Sequence, residues 1–161
     1  MEQTTQGVGM HAAGTKVRAP AIDGWFTFDG EPRLLGSRCQ ACGTFMFPPA
    51  ALGCPNPACG SSDLETVPLS NRGTVWSYTD NRYAPPPPYK SPDPFVPYAV
   101  AAVELVDEKL VVLGMVDGDA STLEVGQEME LVIARLFEDD DHEYVVWKWR
   151  RAGSRNDKDQ G

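Results

Sequence analysis

Two close pairs of cysteines, Cys39-Gln-Ala-Cys42-Gly43 and Cys54-Pro-Asn-Pro-Ala-Cys59-Gly60, stand out in this 161-residue chain. Eleven residues separate the pairs, which contain all four cysteines of the sequence. Each pair can form a tight turn whose thiolates point inward, so four sulfur atoms can surround one ion as a tetrahedron. Gly43 and Gly60 follow the second cysteine of each pair, where the backbone must turn back sharply. The spacing predicts one zinc ion per chain, held by Cys39, Cys42, Cys54 and Cys59.

A zinc ion with four sulfur ligands has no open position, so the predicted site is structural rather than catalytic. In small modules that unfold without metal, such a site contributes on the order of 10 kcal/mol to folding. A redox dithiol, a pair of disulfides and rubredoxin-like iron are the alternatives. The longer second spacing, four residues between Cys54 and Cys59, weakens the iron alternative.

The charge of the chain limits its partners. It has 14 Lys and Arg against 23 Asp and Glu, a formal net charge of -9, which opposes attraction to nucleic acids and anionic membranes. Its 15 glycines and 14 prolines favour short strands and many turns over long helices. The length allows one ordinary domain or two small ones.

Neither a membrane span nor an export signal is expected. The longest mostly apolar stretch, 98–106, is interrupted by Glu104 and is less than half the length that a bilayer crossing requires. The first fifteen residues contain no Lys or Arg and no continuous apolar core. A cytoplasmic protein is therefore expected, and thiols remain reduced in that compartment.

Four regions are predicted along the chain. Residues 1–20 are expected to be a flexible arm and residues 151–161 a disordered tail. Residues 21–67 are expected to contain a short N-terminal helix, over part of 22–35, followed by a rubredoxin-like zinc ribbon. Residues 68–150 are expected to form a separate β domain.

The second half of the sequence predicts a mainly β fold. It contains five segments rich in β-branched and aromatic residues, with a polar insert at 117–127 that favours one helical turn. Five strands with a non-strand insert between the third and fourth match the five-stranded OB-fold barrel, with a small sandwich as the alternative. The predicted strands are 73–83, 98–106, 110–116, 129–137 and 144–150.

Phe45 and Phe47 form an apolar tip between the two cysteine pairs. A ribbon of about thirty residues has little core in which to bury them, so another surface must cover this tip. Packing on the β domain or on residues 22–35 is one possibility. Contact with another chain or with a lipophilic substrate is the other.

The proline-rich segment 84–98 cannot be a helix or a central strand. In an OB fold it is the first long loop, and such loops flank the usual binding face. Tyr89 and Phe95 give it an aromatic surface suited to a partner protein. A rigid strap over one end of the barrel is the alternative.

Trp147 and Trp149 share one face of the last predicted strand. Aromatic residues on an OB fold can stack nucleic acid bases, which makes single-stranded nucleic acid binding the alternative function. Residues 68–150 contain seven basic and fifteen acidic residues, however, a poor basis for a groove that follows phosphates. The sequence therefore favours core tryptophans.

Catalytic groups are scarce in the sequence. If all four thiols hold metal, no cysteine remains as a nucleophile. The two histidines, His11 and His142, lie in the predicted arm and in an acidic turn. No catalytic residue is therefore predicted.

The combination of these motifs resembles a known family. It is similar to the zinc-ribbon OB-fold accessory proteins, once catalogued as a domain of unknown function, that accompany thiolase-like enzymes. The likeness covers about 22–150, and the second cysteine pair is longer than the commonest form. It rests on Arg38–Gly43, Phe47–Pro49, Cys54–Gly60, Gly73–Thr79 and Pro97–Val100.

The resemblance implies a non-catalytic subunit of an acyl-CoA thiolase or retro-aldolase. Its partner would be a thiolase or a lipid-transfer-type thiolase homologue, in a heterotetramer or larger assembly, with an enoyl-CoA hydratase as a further partner. The basic residues expected to contact a CoA phosphate or the partner are Arg33, Arg38, Arg72 and Arg82. The alternative is that these arginines form ordinary surface ion pairs. Phe45, Phe47, Tyr89 and Phe95 are the expected apolar contacts.

Overall fold

The protein folds almost entirely as β structure in the part of the chain that the computed structural model describes, residues 15–88 and 91–153. The strands form two sheets, one around the cysteine pairs and one from the second half of the chain. In chain order they are β1 (Val17–Pro20), β2 (Phe26–Thr27), β3 (Arg33–Cys39), β4 (Phe45–Met46), β5 (Leu64–Pro68), β6 (Arg72–Asn81), β7 (Tyr98–Leu105), β8 (Val111–Met115), β9 (Glu128–Glu138) and β10 (His142–Arg151).

The smaller sheet is built on β3. The start of β3 pairs with β2, and its second half lies between β4 and β5, antiparallel to all three. Leu34 is fully buried, and Cys39 at the end of β3 is buried as well. The first metal-binding turn therefore begins on the central strand of this sheet.

The predicted N-terminal helix is wrong. Residues 22–35 instead form β2, a turn and the start of β3. Gly24 and Gly30 have φ angles of 76° and 80°, in the left-handed region where an α-helix cannot continue. The apolar side chains that suggested a helical face are brought together by the hairpin, since Phe26 pairs with Leu34 across it.

The larger sheet has the order β1-β10-β9-β6-β7-β8. The two hairpins predicted from the sequence, β7–β8 and β9–β10, are confirmed by their antiparallel registers. A single 3-10 turn at Ala120–Thr122 lies within the polar insert, as predicted, and the side chain of Asp119 caps it. The strand order is that of an OB fold.

A closed five-stranded barrel is not confirmed. Strands β8 and β10 meet through one isolated parallel bridge between Val116 and Trp149, without a continuous ladder. The sheet also contains a sixth strand, because β1 pairs in parallel with β10. The expectation that residues 1–20 have no fold is therefore wrong for Val17–Pro20, while residues 1–14 lie outside the described chain. At the other end, β10 includes Arg151, and residues 154–161 are also outside it.

Trp147 and Trp149 belong to the core, as the charge argument predicted. Trp149 is completely buried and Trp147 is 8% exposed, so neither presents an open face to a base. Both indoles pack against Gly114 of β8, where a Cβ atom would lie 2.8–2.9 Å from their Nε1 atoms. A glycine is therefore required where these two side chains approach the neighbouring strand.

The connection between the two sheets is tightly held. Leu69 is fully buried, and its N–H donates to the carbonyl of Leu34 at 2.8 Å. The Ser70 hydroxyl donates to Asp107 and the Ser70 N–H donates to Glu108, both at 2.9 Å. The turn after β7 thus binds the segment that joins the sheets.

No helix in the described residues is long and apolar enough to cross a membrane.

Candidate metal centre

The four cysteine thiols lie together at the end of the smaller sheet. Their sulfur atoms are all within 4.8 Å of one another. The Sγ atoms of Cys39 and Cys59 are 3.7 Å apart, and those of Cys42 and Cys54 are 3.5 Å apart. A regular tetrahedron with metal–sulfur bonds of about 2.3 Å has edges of about 3.8 Å. The four sulfur atoms therefore fit one tetrahedral ion.

Two tight turns hold the thiols in position. The Gly43 N–H donates to the carbonyl of Cys39 at 2.8 Å, and the Cys59 N–H donates to the carbonyl of Asn56 at 3.0 Å. Gly43 and Gly60 have φ angles of 75° and 64°, as expected for the sharp reversal after each cysteine pair. The turns direct both cysteines of each pair toward the same point.

Each sulfur atom also accepts hydrogen bonds from the backbone of its own turn. The donors are N–H groups two or three residues further along the chain, which is why short, tightly turned segments are needed. They are Ala41 and Cys42 for Cys39, Thr44 for Cys42, Asn56 for Cys54 and Ser61 for Cys59. Such bonds stabilise thiolate, the form that binds metal.

The thiols do not ionise equally in the absence of metal. The side chain and then the backbone N–H of Thr44 lower the pKa of Cys42 to about 6. The N–H of Asn56 acts in the same direction on Cys54, but burial and the neighbouring thiols raise the pKa of Cys54 to about 12. Metal binding at neutral pH must therefore release protons, and metal affinity falls as the pH decreases.

The alternatives to a metal site are less compatible with this arrangement. All four cysteines are free thiols, and sulfur atoms 3.5–3.7 Å apart are not bonded as disulfides. The approach of both turns to a single point, with all sulfurs hydrogen-bonded, is the geometry of a closed structural site. A dithiol that cycles between oxidation states would require only one pair.

The apolar tip between the cysteine pairs packs on the larger sheet. The ring of Phe47 meets Trp25 at 5.5 Å and Trp147 at 5.8 Å between centroids, in edge-to-face geometry. Phe45 is also partly buried against the core, and the guanidinium of Arg38 lies 5.6 Å from its ring centre. Both phenylalanines of the tip therefore pack against the rest of this chain, as the first of the two possibilities predicted. Trp25, which the sequence placed in a helix, is the residue that completes the contact.

Replacing Phe47 with alanine is expected to weaken the contact between the two sheets. The variant loses two edge-to-face contacts at a half-buried position, which predicts a decrease of about 2 kcal/mol in the free energy of unfolding. Urea titration followed by tryptophan fluorescence would measure it. Leu52→Ala, in the same loop but almost fully exposed, is the control and should change stability by less than about 0.5 kcal/mol. Equal stability of both variants would contradict the role of Phe47.

The four arginines proposed for CoA or partner contact are not gathered into one site. Arg33 is paired with Glu31 at 3.1 Å, and Arg72 lies 3.9 Å from Glu130. Arg82 is paired with Asp80 at 2.7 Å beside a different cavity. The remaining arginine, Arg38, is the one over Phe45.

Three arginines and two glutamates, Glu31 and Glu130, line a cavity of about 450 Å³ between the β2–β3 turn and the larger sheet. Arg72 is two-thirds exposed here, while Arg150 donates to Glu130 through Nε and Nη2 at 3.2 and 2.9 Å. Arg18, on β1, also lines the cavity. Arg18 and Arg150 were missed in the sequence, because only strand pairing between β1, β9 and β10 brings them to this side.

The other predicted contacts lie on the long loop after β6. Phe95 is half-buried against Tyr98, with ring centres 6.3 Å apart. Tyr89 falls outside the described residues. His142 sits on the β9–β10 turn, 3.6 Å from Asp139 and far along the chain from the thiols. No site residue was predicted as a catalyst, and the metal centre includes no histidine.

Comparison with known proteins gives matches across most of the chain. The family model described as the ChsH2 rubredoxin-like zinc ribbon domain matches residues 29–65, and that of the ChsH2 C-terminal OB-fold domain matches residues 66–134. These ranges contain all four thiols and strands β6 to β8 complete. The zinc ribbon match and the four clustered thiols together assign one structural zinc ion to the metal centre.

Curated relatives and a solved structure agree with the family models. The benzoylsuccinyl-CoA thiolase subunit BbsA of Thauera aromatica is 30% identical over 121 residues, which cover 74% of this chain and 77% of that protein. A probable enoyl-CoA hydratase alpha subunit of Thermomonospora curvata is 35% identical over 107 residues, 66% of this chain, although the match spans only 31% of that protein.

The solved structure is titled Ltp2-ChsH2(DUF35) aldolase. Its matching chain is 32% identical, with a TM-score of 0.57, and the match covers 74% of this chain and 85% of that one. The cysteine spacing, the paired sheets and these matches lead to one conclusion. The chain belongs to the ChsH2 (DUF35) family of proteins that join a rubredoxin-like zinc ribbon to an OB-fold domain.

Proposed function

We propose that this chain is a non-catalytic, zinc-binding accessory subunit of a thiolase-like acyl-CoA enzyme. The observation that carries the proposal is that all four cysteines are committed to one metal cluster. Acyl transfer by a thiolase-like enzyme needs a reactive cysteine and a histidine base, but every cysteine lies in the cluster and His142, the one histidine among the described residues, pairs with Asp139 on the β9–β10 turn. The reactive groups must therefore come from the partner.

The names of the relatives support a partner of the thiolase class. One relative is a thiolase subunit and the solved structure is an aldolase assembly. The partner of this chain is accordingly a thiolase or a lipid-transfer-type thiolase homologue, in a heterotetramer or larger assembly. An enoyl-CoA hydratase as a further partner is supported by the relative from Thermomonospora curvata.

Acyl-CoA contact is proposed at the cavity beside Arg72. Its exposed guanidinium is free to turn toward a phosphate, because its distance of 3.9 Å to Glu130 is that of a weak surface pair. Arg33 lies on the strand next to this cavity. Arg82 and Arg38 are better explained by their contacts with Asp80 and Phe45.

Nucleic acid binding has no comparable support. The tryptophans that base stacking would require are in the core. The net charge of -9 opposes binding to phosphate chains.

Co-expression with a thiolase-like chain from the same organism tests the proposal. We expect the two chains to co-purify at fixed stoichiometry, with one zinc per accessory chain, and acyl-CoA cleavage to require the complex. Light scattering, metal analysis and a thioester cleavage assay provide the readouts, with each chain alone as control. Turnover of an acyl-CoA by this chain alone would contradict the proposal, as would two chains that elute separately at micromolar concentrations.

A further inference from the structure

Within residues 15–88 and 91–153, no other element of the chain covers the outward face of the β6-β7-β8 part of the larger sheet, where Trp76 and Leu113 are each 65% exposed. Paired residues of adjacent strands point to the same side of a sheet, so the register assigns each position to a face. Val75, Val103 and Val112 form one inward row, and all three are buried. The next row, Ser77, Ala102 and Leu113, therefore faces outward.

Trp76 points to this outward face because it follows the inward Val75, and a bulge in β6 begins at this position. The register shifts between Val75 and Ser77, so Trp76 and Ser77 together oppose Ala102. Trp76 is 65% exposed, whereas the other three tryptophans of the chain are half-buried or buried in or beside the core. Bulges often redirect a side chain at functional sites, and an exposed tryptophan is a typical anchor of protein interfaces.

Trp76 is part of a larger apolar surface. Leu113, two strands away, is 65% exposed, and Val111 on the same strand is 41% exposed. Ala102 lies between Trp76 and Leu113, so these two side chains are separated by two strand spacings, about 10 Å. We call the set Trp76, Val100, Ala102, Val111 and Leu113 the outer patch.

The outer patch continues toward the proline-rich loop. Tyr98 occupies an outward position at the start of β7, paired with Asn81, and its ring contacts Phe95. Val96, on the same loop, is 58% exposed. The aromatic contact expected at Phe95 and the outer patch are therefore parts of one surface.

The charge of this face limits what can bind there. The outer patch itself contains no charged residue, and at the β6–β7 end of the same face Arg72 and Glu104 carry opposite charges. A face whose one arginine is balanced by Glu104 and Glu130 does not attract a nucleic acid or an anionic lipid. A second copy of the chain would bring together two molecules of charge -9, which repel at long range. An uncharged apolar face on so acidic a chain best matches an uncharged apolar face on a different protein.

We propose that the outer patch is the docking surface for the thiolase-like partner, with Trp76 and Leu113 as its main contacts. The inference rests on the proposed function and adds to it the surface of this chain that binds. The partner contributes an apolar, uncharged area that covers Trp76 and Leu113.

The test measures binding of the co-expressed thiolase-like chain to purified variants of the full-length protein. Trp76→Ala should raise the dissociation constant about thirtyfold or more, as expected for a central interface anchor. Leu113→Ser should raise it about tenfold. Phe137→Ala and Leu136→Ser are matched controls, since both residues are about half exposed but lie near the far end of β9, beyond residues 128–130, the part of β9 that pairs with β6. They should change binding by no more than about twofold.

Hydrogen exchange of the wild-type complex provides a second measurement that does not depend on any variant. Peptides from β6, β7 and β8 should become protected when the partner binds, and peptides from β9 around Leu136 should not. Zinc content and circular dichroism of the variants verify that they are folded.

The outcomes distinguish failure of the proposed function from failure of the proposed docking surface. If wild-type protein forms no complex, the proposed function fails and this inference with it. If the complex forms but Trp76→Ala and Leu113→Ser bind as wild type does, the outer patch is not the docking surface and the proposed function stands. A wild-type dimer that Trp76→Ala dissociates would also overturn the inference, because the occupant would then be a second copy.

Discussion

Removal of zinc with a strong chelator at neutral pH is expected to unfold the ribbon and to expose Trp147 to solvent. Strands β2 and β4 are only two residues long, so hydrophobic burial alone cannot hold the two turns in place. A structural zinc site of this type contributes on the order of 10 kcal/mol. Phe47 connects the first turn to Trp147, and loss of the turn therefore reaches the larger sheet.

Tryptophan emission and a colorimetric zinc assay would follow both events. We expect the emission maximum to shift to longer wavelength in step with zinc release, and added zinc to reverse the shift. Emission that stays unchanged after complete zinc removal would show that the ribbon keeps its fold without metal.

The variant Cys39→Ser tests the same dependence without a chelator. Cys39 is the buried ligand at the end of β3, so its loss leaves an incomplete site next to the central strand. Purified variant should contain far less than one zinc per chain. Ser62→Ala, an exposed residue three positions after Cys59, is the control and should retain full zinc content.

Replacement of Gly73 by alanine is expected to disrupt the larger sheet. A Cβ atom at this position would lie 2.2 Å from the carbonyl oxygen of Glu104 and 2.7 Å from Cγ1 of Val103. The first of these is a backbone atom in the adjacent strand, so it cannot move aside as a side chain does. Separation of β6 from β7 would break ladder hydrogen bonds, and we expect a loss of about 3 kcal/mol or more in the free energy of unfolding.

Urea denaturation at constant zinc concentration measures this effect. Thr74→Ala, at the next and exposed position, should change stability by less than about 0.5 kcal/mol. A Gly73→Ala protein as stable as the Thr74→Ala protein would mean that the two strands separate at little cost.

The metal ligands could be predicted from the sequence because their geometry is local. Each pair is closed by a turn of a few residues, and the only long-range requirement is that the two turns meet. The hairpins β7–β8 and β9–β10 were predictable for the same reason, since short polar turns join strands with clear apolar alternation.

Features that depend on distant contacts were not predictable. The apolar spacing over 22–35 fits a helix or a hairpin, and pairing of Phe26 with Leu34 decides between them. Val17–Pro20 has no apolar alternation of its own and becomes a strand only because β10 presents a free edge. The bulge that places Trp76 and Ser77 together opposite Ala102 is a register shift against β7, which no pattern within β6 reveals.

The segment that joins the two sheets has a consequence for dissecting the protein. The two family models meet between residues 65 and 66, but this point lies inside β5, Leu64–Pro68. A cut there would divide β5, all of whose residues pair with β3, and would separate the Leu69 N–H from the Leu34 carbonyl that it bonds. The boundary between the two family models is therefore not a boundary between independently folding units. Neither half should remain folded when it is expressed alone, and heating should unfold both sheets in a single transition.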